Sequence, residues 1–129
     1  MKTSLSIASL LLLTCLACST HQNHELVKLP SGKQVKVTSV TRMDLPNSSP
    51  SLVMNYLTDI SIDDKAALRK EVDEIWTVFQ KDVEKAKLKV GAIRATHVEG
   101  SGLIKSGKGY GFVFVKRDDG QWVCLDDVK

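Results

Sequence analysis

Between Lys65 and Leu88 neither glycine nor proline interrupts the chain. Within it Leu68, Val72, Ile75, Phe79, Val83 and Ala86 recur in steps of 4, 3, 4, 4 and 3. Such steps line up on a 3.6-residue turn and scatter on a strand, so the segment predicts one long amphipathic helix. Trp76 widens the apolar stripe. Ser61-Ile62-Asp63-Asp64 has the form of a capping box with Asp in place of Glu, in which Ser61 is the cap. Asp59, Asp63 and Asp64 gather before the first turn, and Lys85, Lys87 and Lys89 follow the last. Both clusters complement the helix dipole. Arg69, Lys70, Asp73, Glu74, Lys81, Asp82, Glu84 and Lys85 form the polar face, where Arg69–Asp73 and Lys70–Glu74 are spaced to pair. Glu71 and Glu74 are expected to flank this solvated face, not to form a carboxylate pair for acid–base work.

A helix with one apolar stripe needs a surface to bury it, and the flanking segments read as strands. Glu25–Leu29 is a short candidate, closed by the turn Pro30-Ser31-Gly32-Lys33. Gln34–Met43 alternates, with Val35, Val37, Ser39 and Thr41 on one face. The two runs predict a hairpin. Asp44–Pro50 is a loop whose two prolines exclude a ladder. Ser51–Thr58 is nearly continuous in apolar character, which predicts a central strand. After the helix, Leu88–Glu99 alternates again, with Val90 in one set and Gly91, Ile93, Ala95 and His97 in the other. Glu99–Gly109 reads as a flexible, basic, glycine-rich loop. Tyr110–Lys116 and Gln121–Leu125 read as strands joined by Arg117-Asp118-Asp119-Gly120, a strong hairpin turn. Asp126–Lys129 reads as a tail.

The expectation is an α+β domain: one long amphipathic helix packed on a mainly antiparallel sheet, in the order β-β-β-α-β-β-β. Its expected core is Val35, Val37, Leu52, Met54, Leu68, Val72, Ile75, Phe79, Val83, Val90, Phe112, Phe114 and Trp122. The length of 129 residues, with 43% hydrophobic and 26% charged, suits one modest core. A net charge of +3 is too small to argue for nucleic acid.

The N-terminus does not fit that domain. Met1-Lys2 supplies a positive start, and Leu5–Ala17 is an apolar run without charge. It falls short of the ~20 residues of a spanning helix and matches the apolar region of an export signal. The run ends in Cys15-Leu16-Ala17-Cys18. These four residues resemble the lipobox of bacterial lipoproteins, in which Leu, an aliphatic or small residue and Ala or Gly precede the lipidated cysteine. Cys15 stands where Leu is expected. The competing frame Leu12-Leu13-Thr14-Cys15 has the Leu but places Thr14 at the cut, which favours Cys18. Ordinary signal cleavage without lipid is the third alternative. The resemblance implies residues 1–17 as signal peptide, a diacylglyceryl thioether on Cys18, residues 18–25 as a lipidated tether, and residues 26–129 as the single domain. It implies a membrane partner reached through the anchor. Ser19 is not the aspartate tied to inner-membrane retention, so the outer membrane facing the periplasm is the implied location in a diderm host.

Processing also decides the cysteine chemistry. Cys15 would leave with the signal and Cys18 would be blocked, so Cys124 is left without an intrachain disulfide partner. His21 and His24, three apart in the polar tether, lack a third ligand, so no metal and no cofactor is expected.

Two motifs invite a cytoplasmic reading and fail on context. Gly102-Leu103-Ile104-Lys105-Ser106-Gly107-Lys108 has phosphate-loop spacing, but Gly109 replaces the magnesium-binding hydroxyl and a strand follows instead of a helix. Lys108–Val115 resembles the central octamer of the RNA-recognition motif at seven of eight positions. In that motif Tyr110 and Phe112 would stack on bases. The residues that follow read as a hairpin where that fold needs a further helix and strand, so no nucleic acid is expected. The remaining candidate is a partner-binding loop of Lys105, Lys108 and Tyr110 suited to an anionic glycan, lipid or envelope protein. The chain is thus expected to be a membrane-anchored envelope lipoprotein acting as a non-catalytic binding module. The alternative is a small periplasmic hydrolase or ligand carrier using His97, Tyr110 and Cys124.

Overall fold

The computed structural model describes residues 24–100 and 106–128. Six strands, β1 (Glu25–Lys28), β2 (Gln34–Met43), β3 (Ser51–Leu57), β4 (Val90–Glu99), β5 (Ser106–Lys116) and β6 (Trp122–Cys124), form one sheet in chain order, and α1 (Lys65–Lys85) lies between β3 and β4 in the chain. The chain is α+β. Four ladders are antiparallel, while β3 and β4, joined through α1, are parallel, so the sheet is mixed. A helical crossover returns the chain to the end where it started, which is why that one ladder is parallel. Cys18 and Lys105 lie outside the described residues.

The predicted stripe is the buried side of α1. Leu68, Val72, Ile75, Trp76, Phe79 and Val83 pack on Val35, Val37, Met54, Tyr56, Ile93, Ala95, Phe112 and Phe114. Fully burying a side chain of this size contributes roughly 1.5–3 kcal/mol. The exposed Arg69–Asp73 pair, at 2.8 Å, belongs to a class worth about 0.3–0.5 kcal/mol. Apolar docking therefore holds the helix, and the surface charges adjust it. Trp76 stacks on Phe114 with centroids 4.2 Å apart and meets Phe79 and Trp122 edge-on. Gly91 makes room for it: a Cβ there would stand 2.7 Å from Trp76 Cζ3 and 3.0 Å from Val83 Cγ2.

Several expectations are corrected. Val90 is not core, because Gly91, Ile93 and Ala95 take the helix side of β4 and Val90 turns to the opposite face. Leu52 and Trp122 are only partly buried against the core. A bulge at Thr38 breaks the alternation of β2, since Val37 pairs with Tyr56 and Ser39 with Asn55. Thr38 Oγ1 donates to the Asn55 carbonyl at 3.1 Å. Ser39 and Thr41 thereby leave the face of Val35 and Val37.

The helix cap is Asp64, not Ser61, and its carboxylate accepts from Ala67 N–H at 3.2 Å. The helix ends at Lys85, short of Leu88. Lys87 N–H bonds the Glu84 carbonyl and Leu88 N–H the Val83 carbonyl, with Lys87 at φ 59°. This is a Schellman closure on a non-glycine residue. Strand β5 begins at Ser106, because the ladder with β4 runs on to Glu99, so the basic loop is shorter than its composition suggests. The tail is partly ordered too: Leu125–Asp127 forms a 3₁₀ turn, and Arg69 grips Asp127 with two bonds of 2.8 Å.

Candidate functional site

Of the residues singled out from sequence, His97, Lys108 and Tyr110 share one face of the β4–β5 ladder, and Cys124 lies apart from His97. Lys108 lies in β5 opposite His97 and is exposed. Tyr110, two residues on, shares its face, and its hydroxyl donates to Asp126 Oδ2 at 3.0 Å. That bond pushes the Tyr110 phenol above its usual range. Lys65 Nζ sits 3.5 Å from the ring centroid, and Phe112 meets the same ring edge-on. Tyr110 and Phe112 point toward the helix side, where Phe112 is buried, so this pair does not present two open rings for base stacking.

His97 Nδ1 lies 3.0 Å from the Thr58 carbonyl. A carbonyl only accepts, so Nδ1 carries the hydrogen. Its Nε2 is 3.8 Å from Glu99. Cys124 is buried beside Phe114, and desolvation raises its thiol pKa, which keeps it protonated. Lys108 opposite His97 and Phe114 opposite Cys124 are six residues apart on β5, or about 20 Å. A Cys–His pair is geometrically excluded. No group of three His, Cys, Asp or Glu among the described residues is arranged to hold a metal.

The densest polar cluster is one the sequence reading placed in solvent. Glu71, on α1, is 5% exposed. Its Oε1 accepts from the Tyr56 hydroxyl at 2.9 Å and the Thr58 hydroxyl at 2.7 Å. Its Oε2 accepts from Lys33 Nζ, which also donates to Asp59 Oδ1 at 2.9 Å. Thr58 Oγ1 in turn accepts from Ile60 N–H at 3.1 Å. Three elements meet here: the β1–β2 turn, the end of β3 and the first half of α1. Glu71 and then Asp59 raise the Lys33 pKa, and Lys33 holds the Asp59 carboxyl below its usual range. Burial first, then Glu71, raises the Tyr56 phenol and keeps it protonated. Clefts of about 220 Å³ and 240 Å³ flank Lys33. Leu26, Lys36, Leu57 and Thr58 line the first; Leu29, Ile60 and Ala67 line the second.

Glu71 carries three donors, and no buried side-chain polar atom among the described residues lacks a partner. A buried carboxylate so satisfied ties elements together. A general base needs a lone pair aimed at substrate.

The other face of the sheet is different in kind. Among the described residues α1 covers one side of the sheet, and the alternation of each strand leaves a second surface bare of them. Lys28, Lys36 and Arg94 stand on it, and the register places no Asp or Glu among its strand positions. Both strand carboxylates, Glu25 and Glu99, fall on the helix side. Gly107, Gly109 and Gly111 supply a floor opposite Val98, Thr96 and Arg94. Val53, Ala92, Val113, Val115 and Val123 are half-buried beside them.

The chain matches no protein-family model, no curated protein and no solved structure. No helix among the described residues is long and apolar enough to cross a membrane.

Proposed function

We propose that this chain is a bacterial envelope lipoprotein, anchored through Cys18 and acting as a non-catalytic binding module at the membrane, in a diderm host at the outer membrane facing the periplasm. The observation that carries the binding-module reading is the contrast between the two faces of the sheet. On the helix side the groups suited to chemistry, Glu71, Tyr56, Thr58 and Lys33, are bound to one another and hold the fold together. On the other side a broad surface with cations and no strand carboxylate is left for a partner. Anchoring is supported by the uncharged apolar run ending in Ala17-Cys18. Two or more acyl chains on one residue hold a protein to a bilayer stably, whereas a single myristoyl-length chain is marginal.

The test is metabolic labelling with a fatty acid together with membrane fractionation. Wild type is expected to take label and to sediment with membranes, and Cys18→Ala to lose the label and enter the soluble fraction. Labelling that persists in Cys18→Ala and disappears in Cys15→Ala moves the anchor to Cys15. Wild-type protein that carries no label and stays soluble overturns the anchor.

A further inference from the structure

We propose that the bare face of the sheet docks on the anionic headgroups of the bilayer that holds the chain, so that the domain lies flat on the membrane. The inference rests on the anchor reading and adds to it an orientation and a ligand chemistry.

Three observations favour a lipid surface. The first is charge. Lys28, Lys36 and Arg94 share the face with no strand carboxylate, and among the described residues none of the three has an ion-pair partner. By contrast, Lys33, Arg42, Arg69 and Lys116, in the turn, on the helix and on the helix side of the strands, all face acidic groups. Lys65, Lys70, Lys81, Lys85 and Lys108 on the helix side also lack an ion-pair partner among the described residues, but they share that side with Asp73, Glu74, Asp82 and Glu84 of α1. The strands of the bare face carry cations and no carboxylate, and so complement an anionic plane.

The second is apolar exposure. Leu26, Met43 and Val98 are 61%, 41% and 45% exposed, and the register places all three on this same face. They stand on β1, β2 and β4, around the cations. Aliphatic side chains among lysine and arginine are the composition of surfaces that rest in the headgroup layer.

The third is relief and reach. Gly107, Gly109 and Gly111 add no side chains of their own to this face: Thr96 reaches over Gly107, Arg94 Nε would lie 3.6 Å from a Cβ on Gly109, and a Cβ on Gly111 would have no atom within 4 Å. The low relief of β5 there leaves Arg94 as the group that meets a plane. Glu25 is seven residues beyond Cys18, and at full extension that stretch spans at most ~25 Å. An anchor at Cys18 would hold the face close to the headgroups at high effective concentration. An acidic protein partner would need the same charges, but it would not need the short reach.

Lysine footprinting on the full lipidated protein tests this. The protein is reconstituted in nanodiscs of phosphatidylcholine alone or with phosphatidylglycerol, treated with a water-soluble acetylating reagent, and read by mass spectrometry. On anionic discs Lys28 and Lys36 are expected to label several-fold more slowly than on neutral discs, while Lys81 and Lys87 on the helix side are unchanged. Concentrated salt should remove the difference. In Lys36→Glu with Arg94→Glu, protection of Lys28 is expected to vanish while the protein stays on the disc. Equal labelling of Lys28 and Lys36 on both discs overturns the proposal. So does protection that arises only when envelope extract is added, which assigns the face to an acidic protein instead. Failure of the anchor is seen separately, as an intact mass without lipid on Cys18. In that event salt-sensitive sedimentation of the unlipidated chain with anionic vesicles supports the face, and equal sedimentation with neutral vesicles rejects it.

Discussion

Glu71, 5% exposed on α1, takes hydrogen bonds from Tyr56, Thr58 and Lys33 and so ties the helix to the end of β3 and to the β1–β2 turn. It lies three after Leu68 and four before Ile75, so its position is on the apolar stripe itself. That spacing was a legible signal; its charge drew it to the solvated face instead. Tyr56 and Thr58 were also readable, because they follow Leu52 and Met54 at every second residue. Lys33 was not, since its place depends on how the β1–β2 hairpin folds over the end of β3. In Glu71→Ala the hydroxyls of Tyr56 and Thr58 lose their acceptor in a buried setting, whereas Lys33, 39% exposed, can turn to water. The expected loss is about 2–3 kcal/mol, read from urea unfolding. Tyr56→Phe combined with Glu71→Leu should lose less than Glu71→Ala alone, because the two main buried polar partners leave together. The network also sets an alkaline limit. Both Lys33 and Tyr56 have pKa values raised by folding, so the native state keeps protons that the unfolded chain releases above about pH 10. Their contribution is complete below that pH and is lost as pH rises through the folded values. Urea midpoints between about pH 8 and about pH 11 should therefore fall in wild type and fall less steeply in Tyr56→Phe. Equal slopes in the two proteins would remove Tyr56 from the account.

At the scale of elements, the helix was readable to within a few residues because its period is local and no breaker interrupts it. The strands were readable in place but not in facing. One extra residue at Thr38 turned the second half of β2 over, and no local feature of that sequence marks the bulge. Strand β5 was cut short because alternating glycines look like a loop. The ladder to β4 overrides that preference with a run of long-range bonds from Val90–Val115 to Glu99–Ser106. The α1–β4 contact depends on Gly91 in the same non-local way. Nothing in the sequence says that Trp76 will lie over it. Gly91→Ala puts a methyl carbon inside the contact distance of the Trp76 ring, which is itself held on Phe114. The helix must shift or the ring must leave its stack. The expected cost is about 1–3 kcal/mol, with a change in tryptophan fluorescence that reports the ring. Gly111→Ala is the control, since it meets no atom within 4 Å and should leave both readings near wild type.

At the scale of the molecule, α1 and the sheet divide the described residues into a side that stabilises the fold and a side available to something else. All the large core side chains and the Glu71 network lie between helix and sheet. The bare face contributes half-buried valines, but its cations have no ion-pair partners among the described residues. Stability and surface chemistry should therefore separate under mutation. Lys36→Glu with Arg94→Glu reverses two exposed charges that have no ion-pair partner among the described residues, so no buried group is stranded there. The urea midpoint of this variant is expected within about 0.5 kcal/mol of wild type, the ordinary range for surface substitutions. A loss as large as that of Glu71→Ala would mean that these cations hold the fold together, and the division of labour between the two faces would have to be given up. An unchanged midpoint together with loss of Lys28 protection on anionic membranes would locate the binding role on the bare face and the stability on the other.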